Sequence, residues 1–347
     1  MKIVCACDLA INPNVMSTMK DLEKFGAEVV LFEDSQMQTP KAITEVMIQT
    51  EQHGADSSPA NPELIELCRD ADVVVVHASP INSEVLNKAE KLKYIAVLRS
   101  GIENINHDIC ITRGIKVISA PGRSAHAVAD CTLGLMLAEA KNIARGHKAL
   151  MEGKWIKKFV NFNFIHDLRN CTIGIIGVGQ VGQKVIDRLK GFGPEIIVHD
   201  PFMTNEHLQS LGYTPVTIEE LLNASDFVSI HLRLSDKTKN FIGEKELSMM
   251  KPTAYFINTA RAGLVDEDAL VSALQNKKIG GAALDVFTEE PLDKDNPLLK
   301  LDNVTLTPHV AGTSVDTFTT SVEIIKNALT EMFEDKPISG LVISSVK

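Results

Sequence analysis

Short apolar runs recur along the 347-residue chain, and between them lie stretches whose apolar residues return every three or four positions. In the first third the runs read "KIVCAC", "AEVVLFE", "DVVVVHA" and "YIAVLRS". Between them stand "VMSTMKDLEKFG", "ITEVMIQTEQHG", "PELIELCRDA" and "SEVLNKAEKLK". The runs suit strands and the longer-period stretches suit amphipathic helices, so the alternation predicts parallel strands joined by crossover helices. The residues of "ADSSPANP", Ala55 to Pro62, are turn formers and predict a loop.

A second series starts at Cys171, with "CTIGIIG", "EIIVHDP", "DFVSIHL", "AYFINTA", "GAALDVF" and "VTLTPHV" as its apolar runs. A long helical pattern beginning at Ala125 separates the two series, with Ser124 in position to cap it. The series can be laid on one another, which sets His77 on His231 and, after a short gap, Arg99 on Arg261. Two similarly wound α/β domains with doubly wound parallel sheets are expected. The closing pattern "TSVDTFTTSVEIIKNALTEMFED" is expected to return to the first domain. The expected division is therefore 1–119 completed by 313–347, and 120–312.

Composition narrows the function. Lys+Arg 35 against Asp+Glu 45 leaves a net charge of −10, which opposes nonspecific attraction to nucleic acid or anionic lipid. No apolar run reaches the eighteen or so residues of a membrane span, and the signal-like start "MKIVCACDLAI" is interrupted by Asp8. The six cysteines show neither a CxxC pair nor a zinc spacing. They read as free thiols of a cytoplasmic protein without a metal site.

Chemistry enters with "GIIGVGQVGQKV", where Gly177, Gly179 and Gly182 keep GxGxxG spacing after a strand pattern and ahead of a helix pattern. The next strand pattern ends in Asp200, eighteen residues after Gly182. In that setting Gly177 makes a tight turn, Gly179 lets backbone N–H groups approach a pyrophosphate, and Gly182 lets the helix pack on the strand. Asp200 would accept hydrogen bonds from ribose hydroxyls and repel a 2′-phosphate, and no Arg or Lys follows in "DPFMTNEHLQSLGYTPVTIEE" to offset it. NAD is expected rather than NADP.

Three titratable or charged residues stand at the ends of successive strand patterns: Arg261 in "INTARAG", Glu290 in "LDVFTEEP" and His309 in "LTPHVAG". Ligands of open parallel sheets bind beyond the carboxyl ends of the strands. Singly, each could be a surface arginine, a solvated acid or a core histidine. Behind a dinucleotide turn, all three together point to chemistry.

Residues 171 to 312 resemble the D-isomer-specific 2-hydroxyacid dehydrogenases, the family of phosphoglycerate, glycerate/hydroxypyruvate and D-lactate enzymes. "GIIGVGQVG", "INTARAGLVDEDAL", "GGAALDVFTEEPL" and "NVTLTPHVAG" carry the resemblance in order, and "PGRSAHAVADCTLGLMLA" is similar to the family's domain-crossing helix. The resemblance implies a Rossmann NAD domain, a flavodoxin-like substrate domain and a homodimer. It implies that Arg261 holds the substrate carboxylate, that His309 passes a proton to or from the C2 oxygen, and that Glu290 hydrogen-bonds His309. An imidazole can move protons near neutrality, and a guanidinium fork matches a carboxylate. Cofactor contacts are implied for Gly177, Gly179, Gln180, Val181, Gly182, Asp200, His231, Thr259, Ala260, Asp285 and Gly312, with Asp285 at the carboxamide. The amides of Ser100 and Gly101, in "RSGIENIN", would receive the substrate carboxylate.

The chain departs from the pattern at Arg99, where glycine is usual, and at Glu103 and Asn106, where aspartates are usual. Arg99 could read a second carboxylate or a polar tail, or cap the surface. Arginines that accompany phosphorylated substrates are missing after "VVVVHASP", so a small unphosphorylated 2-hydroxy or 2-oxo acid is expected. A NAD(H)-sensing binding protein on the same fold is the alternative.

Overall fold

The computed structural model describes residues 1–343, which fall into two compact units. Unit 1 is Met1–Arg123 together with the chain from Ser314 on, and unit 2 is Ser124–Thr313. In unit 1 the apolar runs become β1 (Lys2–Cys7), β2 (Glu28–Glu33), β3 (Val73–Val76), β4 (Tyr94–Val97) and β5 (Lys116–Ser119). They pair in parallel in the order β2-β1-β3-β4-β5. Alternate residues of β1 serve two cores. Ile3, Cys5 and Cys7 pack with Met16, Met19, Ile325 and Leu329, whereas Val4 and Ala6 pack with Leu64, Ile65 and Val85. A parallel sheet covered on both faces needs this continuous burial, which is why the runs lack polar alternation.

Unit 2 repeats the arrangement with β6 (Thr172–Ile176), β7 (Glu195–His199), β8 (Phe227–Ile230), β9 (Tyr255–Asn258), β10 (Gly281–Leu284) and β11 (Val304–Leu306). The order is β7-β6-β8-β9-β10-β11, all parallel. Outside β7 a further edge is reduced to one bridge between Val198 and Pro215, in which the Val198 and Val216 N–H groups bond the Thr214 and Val198 carbonyls, each at 2.9 Å. Proline has no N–H for a ladder and is tolerated only at such an edge. With this bridge counted, the sheet has the order of two mononucleotide-binding halves. The observed architecture is therefore the expected α/β fold with two parallel sheets.

Three local expectations need correction. The helical pattern from Ala125 is broken at Asn142, whose φ of 52° separates the helices Ala125–Lys141 and Ile143–Met151. Asn142 is held there by Asn161 Oδ1 at 2.8 Å and Arg145 Nη1 at 3.1 Å. Ser124 occupies the N-cap position, but its side chain makes no capping hydrogen bond. A final strand, β12 (Leu341–Ile343), pairs antiparallel with β5, so the first sheet is not wholly parallel. The six cysteines are unpaired thiols, five of them buried.

Candidate active site

The glycine turn between β6 and the helix Gln180–Leu189 follows from steric limits at two glycines. Gly177 has a φ of 92°, and a Cβ on it would stand 2.9 Å from the His231 carbonyl carbon. A Cβ on Gly182 would overlap the Gly177 carbonyl oxygen. Neither position accepts a side chain, so turn and helix close on each other. Around Gly179, in contrast, a Cβ would meet nothing within 4 Å, which leaves the outer side of the turn open. Gln180 is exposed and Val181 half-buried at the start of the helix, and no side chain caps its first N–H groups. Unsatisfied N–H groups at a helix start favour an anion.

Asp200, at the end of β7, fastens this turn. One oxygen accepts from Val178 N–H and the other from Phe202 N–H, both at 2.8 Å. Gln183 Nε2 adds a bond to the Val178 carbonyl at 3.0 Å. His231, after β8, contacts Ser229 Oγ through Nε2 at 2.9 Å, while its Nδ1 is buried without a partner among the described residues. Burial pushes this imidazole down to about 4, so the ring is neutral near pH 7.

The ends of β9, β10 and β11 carry the remaining residues. Asn258, the last residue of β9, clasps the turn that follows: its Oδ1 accepts from Ala260 N–H at 3.0 Å and its Nδ2 donates to the Arg261 carbonyl at 2.9 Å. Thr259 is buried, and its hydroxyl lies 2.7 Å from that of Thr132. Thr132 already donates to the Val128 carbonyl at 2.7 Å, so Thr259 is the donor of the pair. Arg261 is exposed, with Nη1 donating to the Ala260 carbonyl at 2.7 Å. Among the described residues it forms no ion pair.

Glu290 and His309 meet directly. His309 Nδ1 lies 2.7 Å from Glu290 Oε2, while Glu290 Oε1 accepts from Phe287 N–H at 2.9 Å. A carboxylate only accepts, so Nδ1 carries the hydrogen and Nε2 is the atom available for exchange. The His309 side chain is 47% exposed, which rules out a packed core imidazole. Its φ is 52°, an uncommon conformation for a residue with a Cβ.

That conformation is imposed by Asp285. Its carboxylate is fully buried and accepts from the Thr307 hydroxyl at 2.6 Å, Val310 N–H at 2.9 Å and Ala311 N–H at 2.8 Å. Asp285 thus grips the loop on both sides of His309. Gly312 closes the loop, where a Cβ would make ordinary contact with Ser124 at 3.5 Å. Sequence reasoning missed Asn258, Gln183 and Thr307. Asn258 and Thr307 are short polar residues at strand ends and Gln183 lies in the first turn of the helix Gln180–Leu189, and none has a periodic signal to distinguish it.

In unit 1, Arg99 is buried beyond β4, Ser100 is exposed and Gly101 half-buried. Ser100 Oγ bonds the Ala120 carbonyl at 3.2 Å.

The glycine cradle, open at Gly179, and the unpartnered His231 Nδ1 fit a dinucleotide, and comparison with known proteins agrees. The model of the D-isomer specific 2-hydroxyacid dehydrogenase NAD binding domain matches residues 133–311. A D-3-phosphoglycerate dehydrogenase of Methanocaldococcus jannaschii is 45% identical over 71% of this chain, and the match spans 47% of that protein. A glyoxylate reductase of Korarchaeum cryptofilum is 37% identical over 79% of this chain and 83% of its own length. The chain therefore spans about half the length of the first of these relatives and most of the second. A crystal structure of a Thermus thermophilus protein superposes with a TM-score of 0.71 at 29% identity, covering 99% of this chain and all of that one. The chain belongs to the D-isomer specific 2-hydroxyacid dehydrogenase family.

Proposed function

We propose that the protein is an NAD-dependent oxidoreductase that interconverts a small D-2-hydroxy acid and the matching 2-oxo acid. Unit 2 is the NAD-binding domain in this reading and unit 1 the substrate domain. The observation that carries it is the exposed His309, paired with Glu290 at 2.7 Å at the carboxyl edge of the second sheet. Arg261 stands two strands away along that edge, and neighbouring strands lie roughly 4.8 Å apart. An imidazole and a guanidinium on that scale can engage the C2 oxygen and the carboxylate of one small acid.

The cofactor, when bound, gives or takes a hydride at C2. Gly177, Gly179, Gln180, Val181 and Gly182 would hold its phosphates, Asp200 its ribose, and His231, Thr259, Ala260, Asp285 and Gly312 its remaining length. Arg261 holds the carboxylate. His309 Nε2 delivers a proton to the C2 oxygen in reduction and removes it in oxidation. Glu290 fixes the ring so that Nε2 faces outward. In unit 1, the Ser100 and Gly101 amide N–H groups are the proposed donors to the substrate carboxylate. Unpaired thiols support a reducing, cytoplasmic setting, and a homodimer is the proposed assembly.

A panel of 2-oxo acids with NADH, followed at the nicotinamide absorbance, tests the reading. Turnover is expected on at least one small acid, and His309→Ala should lower kcat on it by about 10²–10⁴-fold. Tight NADH binding without turnover on any acid would favour the NAD(H)-sensing alternative.

A further inference from the structure

The stretch "INTARAGLVDEDAL" carries three acids, Asp266, Glu267 and Asp268, that the proposed reaction does not use. Two of them have ordinary places. Asp266 caps the helix Glu267–Gln275, its Oδ1 accepting from Ala269 N–H at 3.0 Å. Asp268 is exposed in the first turn, where the helix dipole favours a negative charge. Glu267 turns instead toward the loop that follows β10. Its Oε2 accepts from Thr288 N–H at 2.9 Å, and its Oε1 stands 3.5 Å from Asn296 Nδ2.

That loop carries Glu290 and has little to hold it. Phe287 is buried, but Thr288, Glu289, Glu290 and Pro291 are all exposed. Its internal bonds run from Phe287 N–H to Glu290 Oε1 at 2.9 Å, from Asp295 N–H to Asp293 Oδ1 at 2.7 Å, and from Asn296 N–H to the Asp293 carbonyl at 3.0 Å. Among the described residues, only Glu267 and His309 hydrogen-bond residues 288–295 from outside the segment 287–296.

The two outside holds differ in kind. His309 stands on a loop of its own, so its bond to Glu290 joins two loops and anchors neither. Glu267 starts a helix that buries Leu270, Ala273 and Leu274 in the core of unit 2. A group that orients another must itself rest on a packed element. Glu267 also stands six residues after Arg261, on the stretch that leaves the turn clasped by Asn258. It therefore sets the Glu290 loop against the same stretch of chain that carries Arg261.

We propose that Glu267 is a positioning residue: by holding Thr288 it fixes the loop in which Glu290 keeps the hydrogen of His309 on Nδ1 and leaves Nε2 for exchange. Reach matters here and charge does not. The Thr288 N–H needs an acceptor at the end of a long side chain, whereas Asp266 and Asp268 already supply negative charge to the helix start. The kinetic side of this inference rests on the function proposed above, and the state of the imidazole does not.

Two substitutions separate reach from charge. Glu267→Gln keeps an acceptor at the same reach and loses the charge, while Glu267→Asp keeps the charge and falls one methylene short. Both leave the Asp266 cap in place. In the cofactor-free protein, long-range proton–nitrogen correlation spectra at alkaline pH read which nitrogen of a neutral imidazole carries the hydrogen. The His309 signals are those absent from His309→Ala. The Nδ1–H form should dominate in the native chain and in Glu267→Gln, and should give way to the Nε2–H form in Glu267→Asp. On an acid that turns over, Glu267→Asp should lower kcat about tenfold, the scale of one hydrogen bond to a charged group. The KM for NADH should stay unchanged, and Glu267→Asp should add no further loss to Glu290→Ala. Glu267→Gln should keep most of the native kcat. An unchanged tautomer in Glu267→Asp overturns the inference, as does an equal loss in both variants or a loss that persists in the Glu290→Ala background. Should no acid turn over, the proposed reaction fails by itself, and the tautomer alone decides the role of Glu267.

Discussion

Asp285 was expected at the nicotinamide carboxamide, and its carboxylate also accepts three hydrogen bonds from the loop that presents His309. Asp285→Asn would turn an amide N–H toward the N–H of Val310 or Ala311. The expected result is a loss of about 1–3 kcal/mol in denaturant unfolding and a lower kcat with unchanged circular dichroism. Asp200 also acts on the fold, since it fastens Val178 and Phe202. Asp200→Ala should weaken NAD more than NADP, because it removes both a ribose acceptor and the charge that repels a 2′-phosphate. Fluorescence titrations in which NADP weakens more would refute the cofactor choice. Arg261, Glu290 and His309 were legible because each ends an apolar run. The grip of Asp285 was not, because its partners lie more than twenty residues further along the chain and only the fold brings them back.

Among the elements, the glycine turn gives a paired prediction. Gly182→Ala would drive a methyl group into the Gly177 carbonyl, whereas a Cβ on Gly179 meets nothing within 4 Å. Overpacking of this kind costs about 1–3 kcal/mol or more, so Gly182→Ala should lower the melting temperature clearly. Gly179→Ala should leave melting nearly unchanged while weakening NADH, since the methyl would stand on the side where the cofactor approaches. Melting curves and NADH titrations of both variants check this. The strands were legible as unbroken apolar runs. The break at Asn142, the bridge at Pro215 and β12 were not. A left-handed residue inside a helical pattern depends on the tertiary bonds that hold it. A single bridge and a three-residue edge strand are too short to imprint a period.

For the whole molecule, the acidic balance and the two-unit plan follow from the sequence, while the surface required the structure. The helix Ala125–Lys141 directs Ala129, Thr132, Leu135 and Met136 into its own unit. Exposed apolar side chains instead follow it, with Ile143, Leu150, Met151, Trp155 and Phe162 all at least 48% open. Large apolar side chains left exposed close together in sequence are candidates for a contact surface. Trp155→Glu should therefore shift the proposed homodimer toward monomer in sedimentation velocity without altering the fold. An unchanged sedimentation coefficient would count against this surface.

The chain leaves unit 1 at Arg123 and comes back to it at Ser314, where Val322, Ile325, Ala328 and Leu329 close one face of the first sheet against Ile3, Cys5 and Met16. During synthesis, the residues made first must wait with that face bare, while every strand of the later unit has already been made before Ser314 is added. The usual order, in which the earliest domain folds first, is inverted. The second-made unit matures within a still-open first one, and the last helix acts as the bolt that shuts it.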